Sequence, residues 1–518
     1  MRTGAIILAV LFILASVAQA APPEVIGSLK AKLDRWDVEE AWVEIKDLLL
    51  KEPKDGELLE LAAQMAFYRG EYQEALLLIK AAIDAGGDEK KKNSFALFVE
   101  QTLGVISPFK KYESPHFVIT LDEKENGFLI DYIIEALENT YKLMAEQYDF
   151  KPQEKVRIEL LPDARTFYYV SSLSARDIEI EAVGQAEFNK LMILSPGALV
   201  HGYRWLDAVS HEYMHYLILK MTANKAPIWF HEGLAKYEET RWRRGPSYLS
   251  PLYQTLLSRG LAEQRLIRFE KMEPSLTKLE TPDDVQLAYA QAASAIEFII
   301  AKAGHRGLKE IMKGMASKST RGAGESIKDV MDMTFDEFER NWKDFLTAKG
   351  FQEVKGVHVR RYKIKEGRSD EERMDMEEIK SLVARNRAHL ADLLKERGRT
   401  GAAIIEYRRA LAETPDSVPI LNRISSVLIG LEKDQEAIPF LNRAKEISPD
   451  HPATYIQLGK THLKFKDVQR AKEAFLESIE INPFNPEAHD GLAKAYEILG
   501  EKALAEREKE IAKKLGQR

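Results

Sequence analysis

The chain of 518 residues contains no cysteine. That excludes disulfides, thiolate nucleophiles and thiolate metal ligands, so any metal site must be built from His, Asp and Glu, and every core from apolar packing. There is no excess of basic residues either. The 75 Lys and Arg stand against 82 Asp and Glu, a net charge of −7, which gives no electrostatic footprint for nucleic acid. Past the first twenty residues no apolar run is long enough to span a bilayer. Histidine is scarce, with 11 residues, so any clustering of it carries information.

The first twenty residues, MRTGAIILAVLFILASVAQA, place Arg2 before an apolar run and end in Ala18-Gln19-Ala20. This is the pattern of a secretory signal peptide over 1–20, with a mature start expected at Ala21 and a destination in the periplasm or outside a bacterial cell. No Cys follows Ala20, so lipid attachment there is excluded.

What the chain does have is periodicity. Ala403, Ala437, Ala471 and Ala505 are spaced 34 residues apart, as are Pro415, Pro449 and Pro483. A 34-residue period belongs to the tetratricopeptide repeat, in which small residues let two helices approach and Pro ends the second. About four repeats are expected over 381–518, with Tyr407, Leu441 and Phe475 filling contacts between them. A degenerate copy is expected in a helical segment over 21–108, where Ala63, Gly70, Tyr72, Ala75, Ile79 and Ala82 hold the same spacing. Residues 351–380 are charged and poor in core residues, and read as a linker.

Between these segments lies a region of different build, 109–350. HFVITLD (116–122) and KVRIELLPD (155–163) have strand length, and VGQAEFNKLMILSP (183–196) reads as a further strand closed by Ser-Pro. DYIIEALENTYKLMAEQY (131–148) has helical periodicity, and from Trp205 onward the pattern is almost wholly helical. The expected fold is a small sheet followed by helices, an α+β domain flanked by all-α repeats.

This region contains His211-Glu212-Tyr213-Met214-His215. On a helix, positions four apart lie ~40° apart around the axis and ~6 Å along it, so both imidazoles can reach one tetrahedral zinc. Glu212 points ~100° away, where it can take a proton from a water at the metal. A third protein ligand is needed, and APIWFHEGLAKYEE offers Glu232. His231 and Glu239 stay open as alternatives. Neighbours on a helix diverge by ~100°, which disfavours His231 beside Glu232, whereas Glu239 shares the face of Glu232. Trp229 and Phe230 are expected to pack this segment into the core, with Ala235 allowing close approach to the first helix and Gly233 leaving space beside the site.

HEYMH followed by WFHEGLAKYEE resembles the peptidase MA-like metallohydrolases, which belong with the gluzincins, the clan of thermolysin and the zinc aminopeptidases. The resemblance covers roughly 113–350. It implies a zincin-like metallopeptidase fold, Zn2+ as cofactor, His211, His215 and Glu232 as ligands, and Glu212 as general base. It further implies that the strand ending at Ser195 is the sheet edge on which substrate backbone lies, and that Tyr289 supplies the hydroxyl that stabilises the oxyanion. By the same comparison with zinc aminopeptidases, Glu187 is a candidate to hold a substrate's free amine. The sequence departs from thermolysin-like enzymes at Lys236, where they carry an acid four residues after the ligand Glu. Asp207, one turn before His211, is the candidate to orient the ligand imidazoles instead.

These features predict an exported zinc metallopeptidase whose repeats dock a partner or a peptide or protein substrate, with no membrane span after signal cleavage. The alternative is a catalytically inactive repeat scaffold for an envelope protein assembly. The 34-residue register holds no ligand-spaced acids or histidines, so a chain ending near Gly350 is expected still to cleave a short peptide.

Overall fold

The computed structural model describes residues 21–171, 173, 177–178, 182–243, 249–317, 322–367 and 370–517. The expected signal peptide lies outside them. Among the described residues no helix is long and apolar enough to cross a membrane.

The chain divides into two compact units, 1–107 and 108–518. In the first, five helices follow one another: α1 (Pro23–Asp34), α2 (Val38–Lys51), α3 (Gly56–Arg69), α4 (Tyr72–Asp84) and α5 (Glu89–Ile106). Ala63 of α3 and Ala75, Ile79 and Ala82 of α4 are fully buried, and the small residues let these two helices pack closely. Asp55 caps α3 by accepting from the backbone N–H groups of Glu57 and Leu58.

The second unit opens with the sheet. Strands β1 (Lys110–Glu113) and β2 (Phe117–Leu121) pair antiparallel, and β3 (Val156–Leu161) joins β2 in parallel. The parallel pair needs a crossover, and the chain supplies the short α6 (Glu123–Asn126) and the amphipathic α7 (Ile130–Tyr148). The short α8 (Ala164–Val170) follows β3.

The stretch 183–196, expected as one strand, is two: β4 (Gly184–Glu187) and β5 (Lys190–Leu194) form an antiparallel hairpin. Its two-residue turn is Phe188-Asn189, with φ of 55° and 56°. Two consecutive positive φ values are what a tight hairpin with native twist demands. Asn189 suits that conformation, whereas Phe188 disguises it. The sheet order is β1-β2-β3-β5-β4. The strand ending before Ser195 is therefore interior, and the outer position belongs to β4.

A charged pair lies inside this sheet. Lys190 Nζ on β5 bonds Glu159 Oε2 on β3 at 2.6 Å, and both side chains are almost wholly buried. Removing one partner strands the other charge, so Lys190→Met alone is expected to cost ~3–5 kcal/mol in urea unfolding, and the added Glu159→Leu to recover most of it. Equal stability of wild type and the single variant would contradict this.

The helical half runs through α9 (Trp205–Thr222), α10 (Ile228–Glu238), α11 (Pro251–Ala262), α12 (Pro282–Ala316), which is broken by a kink at Gly304 with φ of 69°, α13 (Ala323–Met331) and α14 (Phe335–Lys349). Trp229 and Phe230 are buried as expected, and Trp229 packs on Phe269 and Phe338 behind α10. After α15 (Asp370–Glu378) come four helix pairs: α16 (Leu382–Glu396) with α17 (Thr400–Glu413), α18 (Val418–Gly430) with α19 (Asp434–Ile447), α20 (Pro452–Lys464) with α21 (Val468–Ile481), and α22 (Pro486–Leu499) with α23 (Lys502–Gly516). Ala403, Ala437, Ala471 and Ala505 are buried between them, and Pro415, Pro449 and Pro483 follow the ends of α17, α19 and α21.

The repeats are not a separate appendage. Trp205 Nε1 donates to the carbonyl of Ile479 at 3.1 Å, and the Tyr203 N–H to that of Ile481 at 2.9 Å. Arg204 meets Asp450 and Glu477. Gly202 has φ +72°, and a Cβ there would lie 2.2 Å from the carbonyl oxygen of Ile481, so only glycine lets the repeat backbone pass this closely. The segment read as a linker is packed too: Val357 is buried, Leu199 forms a bridge with Ile364, and the Lys365 N–H donates to the Ala198 carbonyl. Many of its charges are exposed, but Asp370 is buried and Asp375 Oδ1 is shielded from solvent, and its backbone is tied to the loop that leads into α9.

Candidate metal centre

Helix α9 carries the His-Glu-x-x-His sequence through the middle of the domain. Its residues Trp205, Leu206, Val209, Tyr213 and Leu217 are buried, and so are the polar Asp207, Ser210 and Glu212. A buried helix that retains polar groups must satisfy them locally or direct them at a site.

His211 and His215 both direct Nε2 at one oxygen of Glu232, which α10 brings in. Their distances to Glu232 Oε2 are 3.4 and 3.6 Å. One ligand atom from each of the three residues lies within 4.8 Å of the others. Ligand atoms ~2.0–2.1 Å from a tetrahedral zinc stand about 3.3–3.4 Å apart, so the spacing suits three atoms around one ion. The donor set of two imidazoles and a carboxylate is also one that zinc accepts.

His231 is not in this cluster. Its ring stacks obliquely beside that of His215 at 5.6 Å, and burial holds it neutral, with its pKa pushed down to about 3. Glu239 has a different task from the one left open for it. Its Oε2 accepts from His211 Nδ1 at 3.0 Å, which leaves the Nε2 lone pair facing Glu232. Lys236 holds Glu239 in turn, with Nζ 3.0 and 3.1 Å from its two oxygens. The position where related enzymes carry an acid therefore carries the cation that fixes the orienting acid. Asp207 does not orient a ligand: it accepts from Trp242 Nε1 at 2.9 Å and from Arg243 Nε and Nη2 at 3.0 and 2.8 Å. Helix register could suggest Glu239 from sequence, but not which of its neighbours it would bond.

Burial opposes a charged His211, yet bonds to Glu232 and Glu239 outweigh it and raise its pKa to about 9. His215 first, and then His211, hold Glu232 well below the usual carboxylate range against the cost of burial.

Glu212 lies beside the cluster with Oε2 unpartnered, and burial raises its pKa. It accepts one bond from the backbone N–H of Ala186 on β4. Gly184, on the same strand, makes its room: a Cβ there would lie 2.5 Å from Glu212 Oε1 and 2.7 Å from Cγ. Gly184→Ala is thus expected to displace the carboxylate and lower kcat about tenfold or more with metal content unchanged. An unaltered kcat would remove β4 from the account of the site.

Tyr289 on α12 is within electrostatic reach of Glu232 and Glu212, and burial keeps its hydroxyl protonated. Lys236 Nζ lies 5.7 Å from its ring and 5.9 Å from that of Tyr253, a second tyrosine that sequence reading missed. Gly233 faces away from the cluster, toward α12, where a Cβ would lie 2.4 Å from the Ala292 carbonyl oxygen. Its absence of a side chain brings α10 and α12 together rather than leaving space beside the metal ligands. Glu187 ends β4 and pairs with Lys190 across the hairpin.

Residues 179–348 match the model of the Peptidase MA superfamily, a span that takes in all of His211, Glu212, His215, Glu232 and Tyr289. The middle of the chain is a Peptidase MA superfamily domain. Residues 389–452 and 428–495 match two tetratricopeptide-repeat models, so the Peptidase MA domain is followed by such repeats. No curated protein matches the chain. Among solved structures, it is similar to one described as the crystal structure of MamA, at 19% identity over 30% of this chain and 97% of that one, with a TM-score of 0.25. It is also similar to MamA from Desulfovibrio magneticus RS-1, at 17% identity over 29% of this chain and 80% of the other, with a TM-score of 0.24.

Proposed function

We propose that this chain is an exported zinc-dependent peptidase. The observation that carries the reading is the convergence of His211, His215 and Glu232 on one point, with a buried Glu212 carboxylate beside it whose Oε2 has no partner. Zinc held by those three residues would supply a Lewis acid that acidifies a water and polarises a peptide carbonyl. Glu212 accepts the proton of the attacking water at Oε2 and returns it to the leaving amine as the C–N bond breaks. The protonated Tyr289 donates to the oxyanion. The outer strand β4 offers the backbone along which an extended peptide can lie, and this brings the scissile bond toward Glu212, which Ala186 of that strand already contacts.

Export rests on the composition of residues 1–20. The repeats are read as a docking surface for a partner or protein substrate, on the face left free by their contacts with residues 202–205. The rival, an inactive repeat scaffold, has to explain why the general base and its cradle are intact.

Zinc content after dialysis tests the ligand set. Glu232→Ala is expected to lose one equivalent relative to wild type, whereas His231→Ala and Glu239→Ala keep it, the latter with weaker affinity by ~10–100-fold. Loss of zinc in His231→Ala with full retention in Glu232→Ala would make the site a three-histidine one and end this reading.

A further inference from the structure

A second cluster repeats the geometry of the first. His201 Nε2 and His451 Nε2 lie 3.4 and 3.6 Å from a single oxygen, Asp375 Oδ1. The ligand atoms of these three residues lie within 4.8 Å of one another. Nothing in the proposed chemistry uses them. Both distances are longer than a good hydrogen bond, and both suit the edge of a tetrahedron around one ion.

The atoms are also buried without partners. His451 is 2% exposed. Its Nε2, both ring nitrogens of His201 and Asp375 Oδ1 are shielded from solvent and make no hydrogen bond. Buried polar atoms in this condition are costly, and a cluster of two imidazoles and a carboxylate facing one point is a donor set suited to a cation. Supporting contacts are in place. Asn422 Nδ2 lies 3.3 Å from His451 Nδ1, and its Oδ1 accepts from the Thr454 hydroxyl at 3.0 Å, which fixes the ring in place. Arg423 Nη1 stands 3.6 Å from the other oxygen, Asp375 Oδ2.

We propose that His201, Asp375 and His451 form a second divalent transition-metal site, of the zinc class, that ties the repeats to the catalytic domain. The three residues come from three places: the loop four residues before α9, helix α15, and the start of α20. An ion there joins the segment feeding the His-Glu-x-x-His helix to the repeat stack. Its role is structural, since the ligand atoms are shielded from solvent.

The test uses the full chain, stripped with a chelator and titrated with zinc chloride. Wild type should bind two equivalents. Glu232→Ala, which touches none of the second cluster, should still bind one, and the double variant Glu232→Ala, His451→Gln should bind none. Zinc should raise the Tm of Glu232→Ala by several degrees and leave that of the double variant unmoved. Asp375→Asn gives a second, conservative probe if His451→Gln misfolds. The proposal is overturned if Glu232→Ala binds no zinc, or if folded Asp375→Asn binds as much as wild type. A wild type that binds a single ion, kept in Glu232→Ala and lost in Asp375→Asn, would support this site while sinking the catalytic one.

Discussion

Glu212→Gln should hold as much zinc as wild type and hydrolyse peptides about 10²–10⁴-fold more slowly. The substitution keeps the shape of the side chain. A glutamine carbonyl can still accept from the Ala186 N–H and fit the space that Gly184 leaves. What it cannot do is take a proton. The loss should therefore appear in kcat, with KM little changed, because the interaction is made only as the water attacks. Zinc analysis and steady-state cleavage of a short peptide on the same preparation check it. A variant with wild-type turnover would remove Glu212 from the mechanism, and one that lost its metal would make Glu212 a ligand.

Ending the chain at Gly350 is expected to inactivate it, contrary to what the repeat register alone implies. The cut removes the partners of residues at the start of α9. Trp205 Nε1 loses the Ile479 carbonyl, Arg204 loses Asp450 and Glu477, and Arg243, already bonded to Asp207, loses Glu477 and Glu480. Tyr132 loses Glu508, which accepts its hydroxyl at 2.7 Å. Hydrogen bonds to charged groups contribute ~1.5–3 kcal/mol each, so several lost together approach the whole stability of a domain, ~5–15 kcal/mol. The shortened chain should be insoluble or melt more than about 10 °C lower, with peptide cleavage reduced to background. Unchanged Tm and turnover would mean that these contacts hold the repeats in place without supporting the catalytic domain.

The parts that were legible in the sequence are those with a local signature. The four-residue spacing of His211 and His215, the offset to Glu232 and the 34-residue recurrence of Ala and Pro each reflect one helix or one helix pair, and the structure places them accordingly. The hairpin at Phe188-Asn189 was hidden because Phe is a poor turn residue and the flanking apolar run is continuous. The orienting role of Glu239 depends on which neighbours meet its carboxylate across α9 and α10, which helical phase does not specify. His201 and His451 stand 250 residues apart, and no periodicity links them. The same holds for Arg204 and Glu477: residues that look like ordinary surface charge in each segment become partners only when the segments dock.

Repeats of this kind are usually exchangeable parts, joined to a neighbour by a tether and swapped without disturbing it. Residues 202–205 rule that out here. Gly202 admits the backbone of α21, Arg204 and Trp205 grip the ends of α19 and α21, and Trp205 is also the first residue of the helix that carries His211. His211 lies six residues on, ~9 Å along the axis. A graft of foreign repeats would have to bring its own version of this loop, and so its own first turn of α9. The repeats can be exchanged only together with the segment that docks them.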